Sequence, residues 1–437
     1  MIRRLDINSD SYKDDLAALA ASSPVAQIEI QNRVSAILED VRTHGDTALL
    51  KYAQDFDGVK AETAAGLEVD KSLLEKALNE IDPELKAALE TAAQRIRDYH
   101  QHQQEGVSRG DYEFEDQYLN RFWQKTIPMD KVGLYVPGGK AFYPSSVLMN
   151  AIPAKVAGVK EVSMAVPIGY SGSLSPVVLA AAAIAGVDRV FTMGGAQAIA
   201  AFAYGTDTVP AVDKIVGPGN TYVALAKRAV YGHVGIDMIA GPSEILVIAD
   251  KALPIDSAVY DLFSQAEHDE MAQSILISTD QDYLDQVEAR IYELLPEQPR
   301  QDVIKASLQN RGAFVKVNSW KEAIQLSNAL APEHLELAFA DVDQYVDQVT
   351  HAGSVFVGVH TTESFGDYCS GTNHVLPTSG SARFSSPLGV HDFQKRTSFT
   401  RCSQQGANFL GPVAATMARA EHLEAHALAA ESRVEKG

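Results

Sequence analysis

Hydrophobic residues recur at helical spacing through the first part of the chain. The segments 30–58 and 71–104 carry apolar side chains three to four positions apart, the period of a helix that buries one face. Gly45 interrupts the first segment and Pro83 the second, so we expect a break in each helix at these residues. The first 125 residues are therefore predicted to be mostly helical. Neither segment carries an obvious reactive cluster, and we assign both to the scaffold.

From about Lys131 the pattern alternates between short apolar runs and alanine-rich helical segments. The runs that predict strands are VGLYV (132–136), EVSMAVP (161–167), RVFTM (189–193) and DKIVG (213–217). A helical segment follows each run. Strict alternation of strand and helix implies right-handed crossovers and a parallel, doubly wound sheet.

The alternation resumes after Gly241 and predicts a second α/β unit. Its strands are expected at EILVIAD (244–250), ILIS (275–278) and GAFVKV (312–317). The last stretch, 411–435, has the composition of a terminal helix. The pattern as a whole predicts an α/β fold with two units.

Composition narrows the class of protein. With 437 residues, 46% hydrophobic and 22% charged, the chain is typical of a soluble globular protein of two or more domains. A net charge of −20 argues against a general nucleic-acid binder, which needs a basic surface. Two cysteines give no disulfide framework, and we find no secretory signal and no apolar segment of membrane-spanning length. We expect a cytoplasmic protein with no membrane partner.

Three glycine-rich loops stand where a predicted strand leads into a helix. They are PGGKAFYPSS (137–146), MGGAQ (193–197) and GPGN (217–220). Glycine lets the backbone approach a phosphate, and a helix N-terminus offers free amides. None has the GxGxxG spacing of a dinucleotide fingerprint, and a loop of this kind by itself is more often just a tight turn. The loops favour a ligand at this sheet edge without identifying it.

Two pairs of polar residues could hold a metal ion. Gln265 and His268 stand three positions apart, which places them on one face of a predicted helix. Asp367 and His374 fall in a polar loop bounded by glycines. A helix surface and an ordinary turn are the alternatives that the residues leave open.

The remaining candidates are two further pairs. His422 and His426, four apart in the predicted C-terminal helix, could share an ion or be solvated. Glu333 and His334 put an acid beside an imidazole, two groups able to move protons near neutral pH. If helical, they would point about 100° apart. The residues alone favour a simpler interpretation, a helix N-terminus after Pro332.

A longer pattern decides between these alternatives. The run IDMIAGPSEILVIAD (236–250), leading into DLFSQAEH (261–268), closely resembles the signature of the histidinol dehydrogenase family. The resemblance continues, in the same order along the chain, through VGLYVPGGKAFYPSSVLMNAIPAKVAGV, GGAQAIAAFAYGT, VDKIVGPGN, APEHLEL and ESFGDYCSGTNHVLPT. It is dense over residues 130–400 and looser in the N-terminal helices and the tail.

The resemblance implies an activity and a zinc site. The family oxidises L-histidinol through its aldehyde to L-histidine, the last step of histidine biosynthesis, with NAD as hydride acceptor. Gln265, His268, Asp367 and His426 then correspond to the zinc ligands, with His422 as the competitor of His426. The family's C-terminal ligand comes from the partner subunit, which implies a homodimer with composite active sites.

The resemblance also assigns the other site residues. Glu333 and His334 correspond to the catalytic acid–base pair. The substrate pocket is expected to contain the four zinc ligands together with Ser243, His334, His374 and Glu421. The residues expected to contact NAD are Tyr135, Gln197 and Asn220.

The pattern and the resemblance together predict the fold class and the domain limits. We expect an α/β protein with two Rossmann-like doubly wound domains and helical N-terminal and C-terminal extensions. Residues 1–129 would form a helical region contributing to the first α/β domain, and 130–241 the Rossmann-like NAD-binding domain. Residues 242–385 would complete the first domain with the metal and catalytic residues, and 386–437 would form a helical, dimer-forming tail.

Three other interpretations remain. Cys369, two residues from Asp367, raises a covalent mechanism, although the resemblance argues against it. A dehydrogenase of the same fold could act on another amino or sulfonated alcohol, but Glu333, His334, His374 and Glu421 together favour the imidazole-bearing substrate. A non-catalytic, zinc-stabilised binding protein would not need the acid–base pair.

Overall fold

Two parallel sheets and one antiparallel sheet organise the chain. The structure, a computed structural model, describes residues 2–10, 12–20, 27–108, 111–138, 143–168 and 173–435. The strands are β1 (Arg3–Asp6), β2 (Glu113–Glu115), β3 (Arg121–Pro128), β4 (Lys131–Tyr135), β5 (Glu161–Ala165), β6 (Arg189–Phe191), β7 (Lys214–Val216), β8 (Gly235–Ile236), β9 (Glu244–Ala249), β10 (Gln273–Ser278), β11 (Ala313–Lys316), β12 (His334–Ala338), β13 (Ser354–Val357) and β14 (Gln394–Arg401).

Helices cover both faces of the parallel sheets. They are α1 (Tyr12–Ala20), α2 (Gln27–His44), α3 (Asp46–Asp57), α4 (Lys71–Glu80), α5 (Pro83–Ser108), α6 (Pro144–Ala157), α7 (Pro176–Ala185), α8 (Gly195–Tyr204), α9 (Thr221–Val230), α10 (Ile255–Ala266), α11 (Gln281–Leu294), α12 (Gln301–Arg311), α13 (Trp320–Leu330), α14 (Glu363–Tyr368), α15 (Gln404–Ala420) and α16 (Glu424–Glu431). None of those within the described ranges is both long and apolar enough to cross a membrane.

The first parallel sheet has the strand order β6-β5-β4-β7-β8. Counted in chain order this is 3-2-1-4-5, the order of a Rossmann unit, with its reversal between β4 and β7. Helices α6 and α7 pack on one face of the sheet, and α8 and α9 on the other. Four of the five residues of β4 are buried, because helices cover both sides of it.

The second parallel sheet repeats this arrangement. Its order is β1-β11-β10-β9-β12-β13. The strands β9 to β13 again follow the order 3-2-1-4-5, and the N-terminal strand β1 extends the edge by pairing with β11 in parallel. Every residue of β9 and of β10 is buried. The predicted class, two Rossmann-like doubly wound units with helical extensions, is confirmed.

The N-terminal helices break where the sequence predicts. Gly45 separates α2 from α3 with a positive φ of 52°, and α5 begins at Pro83. Helices α2 and α3 pack beside α8, whereas α4 and α5 pack against α6 and α7. The N-terminal region thus covers the five-stranded sheet, while β1 joins the other. The domain limits given above stay a prediction.

The prediction missed one sheet entirely. The strands β2, β3 and β14 form an antiparallel sheet in which β3 is central. Trp123 of β3 stacks on Phe399 of β14 with ring centroids 5.0 Å apart. Because β14 lies inside the segment 386–437, the predicted helical tail contains a strand as well as the helices α15 and α16.

The C-terminal segment 411–435 is also not one helix. Helix α15 ends at Ala420 and α16 begins at Glu424, with His422 between them at a φ of 62°. The left-handed backbone at His422 reverses the chain, so His422 and His426 do not share one helix face. The prediction of a common helix for this pair was wrong.

Candidate active site

A cavity of about 610 Å³ is lined by residues from both parallel-sheet units. One wall comes from the turns after β4 and β7, including Gly138 and Asn220. The other comes from residues at the amino ends of β9 and β12, including Ser243 and Glu333. Ligands of doubly wound proteins bind at the carboxyl ends of the strands. The five-stranded sheet follows this rule, whereas the six-stranded sheet contributes the amino ends of its strands.

The cavity collects most of the residues nominated from the sequence. Its lining includes Asn220, Ser243, Gln265, His268, Glu333, His334, Asp367 and His374. The other four nominated residues, Tyr135, Gln197, Glu421 and His426, are not among the described residues that line it.

Glu333 and His334 enter the cavity from the start of a strand. Helix α13 ends at Leu330, Ala331 takes the left-handed conformation with a φ of 52°, and the chain passes through Pro332 into β12. The interpretation of this pair as a helix N-terminus was therefore wrong. Since β12 pairs with β9, both side chains are held against the first residues of β9.

The imidazole of His334 is oriented by the backbone. Its Nδ1 lies 3.0 Å from the carbonyl oxygen of Glu244, which can only accept, so Nδ1 carries the hydrogen. Its Nε2 lies 3.4 Å from Asp367 Oδ1 without hydrogen-bond geometry, and Nε2 has no hydrogen-bond partner among the described residues. In the neutral form Nε2 therefore presents a free lone pair beside Asp367.

The charges around His334 favour its protonated form. Burial alone lowers its pKa, but Glu333, Asp367 and Glu363 outweigh that effect and raise the pKa of His334 to about 10. Burial raises the pKa of Glu333 to about 8, although the positive charge of His334 opposes it. A buried acid and base that shift each other's proton affinity are typical of a catalytic site.

Glu333 is also fixed by a backbone donor. The amide of Glu244 donates to Glu333 Oε2 over 2.9 Å, and Nδ1 of His334 lies 3.7 Å from the same oxygen. Glu244 is itself buried, and burial raises its pKa while the amide of Ser379 donates to its Oε1. The sequence analysis assigned no role to Glu244, whose main chain orients both members of the pair.

Gln265 lines the cavity and carries a buried, unsatisfied side-chain oxygen. Its side chain is 1% exposed, its Nε2 donates to Glu363 Oε1, and its Oε1 has no hydrogen-bond partner among the described residues. A buried carbonyl oxygen without a donor is costly unless something else binds it. Helix α10 ends at Ala266, so His268 lies in the following turn, and the prediction of a single helix face for Gln265 and His268 was wrong.

Asp367 and His374 complete this side of the cavity. Asp367 stands in the last turn of α14 rather than in a loop, and its main-chain oxygen lies 3.0 Å from His374 Nδ1. His374 Nε2 lies 3.4 Å from Ser146 Oγ. Burial raises the pKa of Asp367, but contact with His334 and the nearby histidines lower it overall. Asp367 therefore stays ionised.

These donors suit a transition-metal ion. The orphaned Oε1 of Gln265, the ionised carboxylate of Asp367 and the imidazole of His268 supply the oxygen and nitrogen ligands that zinc accepts. Ligand atoms of His334, Glu363 and Asp367 also lie within 4.8 Å of one another. A cation here would offset the charge of Asp367, one of the groups that raise the pKa of His334.

Tyr135 and Gln197 both belong to the hydrogen-bond network around the glycine-rich turn at the start of α8. The amide of Gly195 donates to Tyr135 Oη over 3.2 Å. Asp57 accepts from the amide of Gly194 over 2.9 Å and from Gln197 Nε2 over 3.2 Å. The protein's own carboxylate therefore occupies this helix N-terminus, and the turn is less available to a phosphate than its sequence suggests.

The GPGN turn is built differently. Asn220 caps α9 by accepting from the amides of Tyr222 and Val223, and it lines the cavity. Lys227 donates to the carbonyl oxygen of Gly217 over 2.9 Å and pairs with Asp237. Asp237 accepts from the amide of Gly217 over 2.8 Å. This ion pair holds both main-chain groups of Gly217, and the sequence did not single it out.

The remaining glycine-rich loop, 137–146, also reaches the cavity through Gly138, Tyr143 and Ser146. Its residues 139–142 lie outside the described ranges. Two of the three predicted loops thus contribute to the cavity.

Glu421 and His426 lie away from the cavity of their own chain. Both are exposed, and among the described residues that line the cavity none follows Thr378 in the sequence. Helix α15 is held instead by the β2–β3 region, where Ser403 Oγ donates to the carbonyl oxygen of Tyr118. Within one chain the structure does not join these two residues to the rest of the candidate site.

Comparisons with known proteins show which family the chain resembles. The sequence profile of histidinol dehydrogenase matches residues 21–434. The chain is 55% identical over 435 residues to the histidinol dehydrogenase of Dechloromonas aromatica, covering 99% of each chain. It is 54% identical to that of Cupriavidus pinatubonensis, covering 100% of this chain and 98% of the other.

A solved structure extends the likeness to the fold. The crystal structure of histidinol dehydrogenase from Elizabethkingia anophelis superposes with a TM-score of 0.91 at 35% identity, covering 99% of this chain and 98% of the other. The resemblance found in the sequence motifs is thereby confirmed over nearly the full length. The chain belongs to the histidinol dehydrogenase family.

Proposed function

We propose that the protein is an L-histidinol dehydrogenase that uses NAD and zinc to oxidise L-histidinol through L-histidinaldehyde to L-histidine, the last step of histidine biosynthesis. Family membership supports the substrate. The observation that carries the proposal is His334, whose Nδ1 is held by the Glu244 carbonyl and whose Nε2, beside Asp367, has no hydrogen-bond partner among the described residues. A cation beside Asp367 would offset one of the charges that raise the pKa of His334 and so favour its neutral form, and a neutral imidazole held in this way can take a proton from a bound alcohol.

Gln265, His268 and Asp367 would hold zinc, together with His426 of a second copy. When bound, zinc supplies a template that orients the substrate through its imidazole and amine nitrogens. The unsatisfied oxygen of Gln265 supports this ligand set. His374, on the same side of the cavity, and Ser243 would contact the substrate, as would Glu421 of the second copy.

His334 and Glu333 would divide the proton transfers. In the first step Nε2 of His334 takes the hydroxyl proton while the carbinol hydrogen leaves as hydride, giving the aldehyde. Glu333 then takes a proton from water as the water oxygen bonds to the aldehyde carbon. His334 returns its proton to the carbonyl oxygen, which completes the hydrate. His334 then deprotonates the hydrate as the second hydride leaves, and the resulting carboxylic acid ionises to the carboxylate. The balance is histidinol, two NAD and water giving histidine, two NADH and three protons.

NAD would bind at the carboxyl edge of the five-stranded sheet and accept one hydride in each step. Asn220 lines the cavity at that edge, which supports the assignment. Tyr135 and Gln197 belong to the adjacent buried network, where burial raises the pKa of Tyr135 to about 12, so its hydroxyl stays protonated. We assign these three residues to the NAD site.

Two copies of the chain would share each site. His426 and Glu421 are exposed and are not among the described residues that line the cavity of their own chain, which is compatible with a role in the site of a partner. The two C-terminal helices and the turn between them also expose apolar side chains, namely Phe409, Leu410, Val413, Met417, Leu423 and Leu428. Such a patch is typical of a protein interface. We therefore propose a homodimer joined through the tail 386–437. For the rest of the chain we keep the predicted domain limits, and we propose a cytoplasmic location.

The test counts NADH formed by zinc-loaded protein for each L-histidinol consumed. Two NADH per histidinol, lost on chelation and restored by zinc, is the expected result. One NADH per substrate with released aldehyde would contradict the two-step proposal, and oxidation only of another amino or sulfonated alcohol would contradict the substrate.

A further inference from the structure

Glu363 lies directly behind Gln265, outside the residues assigned above. It is the first residue of α14, 1% exposed, and it is not among the described residues that line the cavity, whereas Gln265 is. Its Oε1 accepts from Gln265 Nε2, and its Oε2 accepts from Ser264 Oγ over 2.9 Å. Its main-chain amide donates to Glu336 Oε1 over 2.6 Å. Hydrogen bonds thus hold both carboxylate oxygens and the main-chain amide of Glu363.

The chemistry of an amide makes this contact directional. The side-chain amide of glutamine is planar, with a donor nitrogen on one side and an acceptor oxygen on the other. Both carboxylate oxygens of Glu363 accept hydrogen bonds, and an accepting oxygen binds the amide nitrogen and repels the amide oxygen. Of the two orientations of the Gln265 amide, Glu363 therefore stabilises the one that turns Oε1 away from it.

We infer that Glu363 is a positioning residue, which holds the amide of Gln265 so that its oxygen faces a divalent cation. The inference rests on the proposed function for the identity of the ion as zinc. It explains why Gln265 Oε1 is buried without a donor, and it gives a buried carboxylate at this place a role. Hydrogen-bonded supports of this kind commonly change metal affinity 10-fold to 100-fold.

A competing arrangement makes Glu363 itself a ligand. Its carboxylate, His334 and Asp367 lie close enough to surround one ion. However, both carboxylate oxygens of Glu363 already accept hydrogen bonds from Gln265 and Ser264. A direct bond to the ion would require at least one of these contacts to be rearranged.

The test is a double-mutant cycle read out as zinc affinity. Purified, zinc-depleted protein is titrated with zinc against a chromophoric chelator, for the unmodified chain, E363A, Q265A and E363A/Q265A. We expect E363A to weaken binding about 10-fold to 100-fold. The double variant should bind zinc as Q265A does, because Glu363 acts only through Gln265. A double variant clearly weaker than Q265A, or E363A equal to the unmodified chain, would overturn the inference.

Two further variants separate positioning from direct binding. In E363Q the new amide can accept from Gln265 through its oxygen and donate to Ser264 Oγ, so affinity should stay within a few-fold of the unmodified chain. A carboxylate that binds the ion directly would lose its charge in this change and bind zinc more weakly, so a loss in E363Q as large as in E363A would contradict positioning. S264A is the matched control, since it removes the other side-chain contact of Glu363 and leaves Gln265 in place. If E363A does not fold, as judged by circular dichroism, E363Q decides alone.

Histidinol oxidation by the unmodified protein is measured separately. Zinc coupling without histidinol oxidation would leave this inference standing and refute the proposed substrate. Histidinol oxidation without the coupling would do the reverse, and an unmodified chain that binds no zinc would overturn the inference.

Discussion

Breaking the buried pair between Lys227 and Asp237 should destabilise the GPGN turn. The two side chains are 2% and 1% exposed, and together they hold the amide and the carbonyl of Gly217. Lys227→Met leaves the Asp237 carboxylate buried without its counter-ion. Removing one partner of a buried pair costs about 3–5 kcal/mol, because the remaining charge stays desolvated.

The magnitude can be separated from other effects by a cycle. Guanidinium-induced unfolding is followed by circular dichroism at one fixed protein concentration, for K227M, D237N and the double variant. We expect each single variant to lose about 3–5 kcal/mol of unfolding free energy, and the double variant to lose clearly less than their sum. In the double variant neither charge is left unpaired, and Asn can still accept from Gly217.

The K227M substitution should also weaken binding of NAD at the proposed nucleotide site. Because Asn220 follows Gly217 by three residues in the same turn, K227M should raise the KM for NAD more than it lowers kcat. A K227M protein within about 1 kcal/mol of the unmodified chain, or strictly additive single variants, would refute the account of this turn.

Three other changes test the assignment of roles. Glu333→Gln should slow the second oxidation about 10²-fold to 10⁴-fold, the usual contribution of a general base, while the aldehyde still forms and can be trapped. An equal loss of rate in both oxidation steps would contradict the separate roles of Glu333 and His334. Cys369→Ala should keep most of the rate, because the thiol packs against the core cluster of the five-stranded unit and is not among the described residues lining the cavity; near-complete loss with zinc retained would revive a covalent mechanism. Mixing inactive His426→Ala and Glu333→Ala subunits should restore partial activity through mixed dimers, and no recovery after verified subunit exchange would argue against shared sites.

The sequence predicts the parallel strands well because their burial is two-sided. Every residue of β9 is buried, and the apolar run 244–250 indicates this directly. The antiparallel sheet gives no comparable signal. In β3 and β14 exposed and half-buried residues mix without alternation, and the two strands lie more than 260 residues apart in the chain. Only tertiary contact defines them.

The site shows the same limit at the level of single residues. The resemblance assigns roles to Gln265 and Asp367, whereas Glu363, the first residue of the same motif as Asp367, received none. Its contact with Gln265 spans 98 positions. Asp57 likewise ends a scaffold helix, and only folding brings its carboxylate to the amide of Gly194. The role of a residue that acts by positioning another residue depends on a long-range contact, so it cannot be predicted from the local sequence pattern.

The order of the strands explains why Glu333 and His334 were misjudged from spacing alone. A proline followed by an acid is compatible with a helix start, and nothing local excludes it. The pairing of β12 beside β9, which places His334 next to Ile245, is a long-range property of the second sheet.

One measurement tests the central claim most directly: the number of NADH molecules formed per L-histidinol consumed by the zinc-loaded protein, with L-histidine quantified as product. The account predicts two NADH and one histidine for each histidinol, with activity abolished by chelation and recovered with zinc. One NADH with accumulating aldehyde, or no NADH from folded, zinc-replete protein, would contradict it.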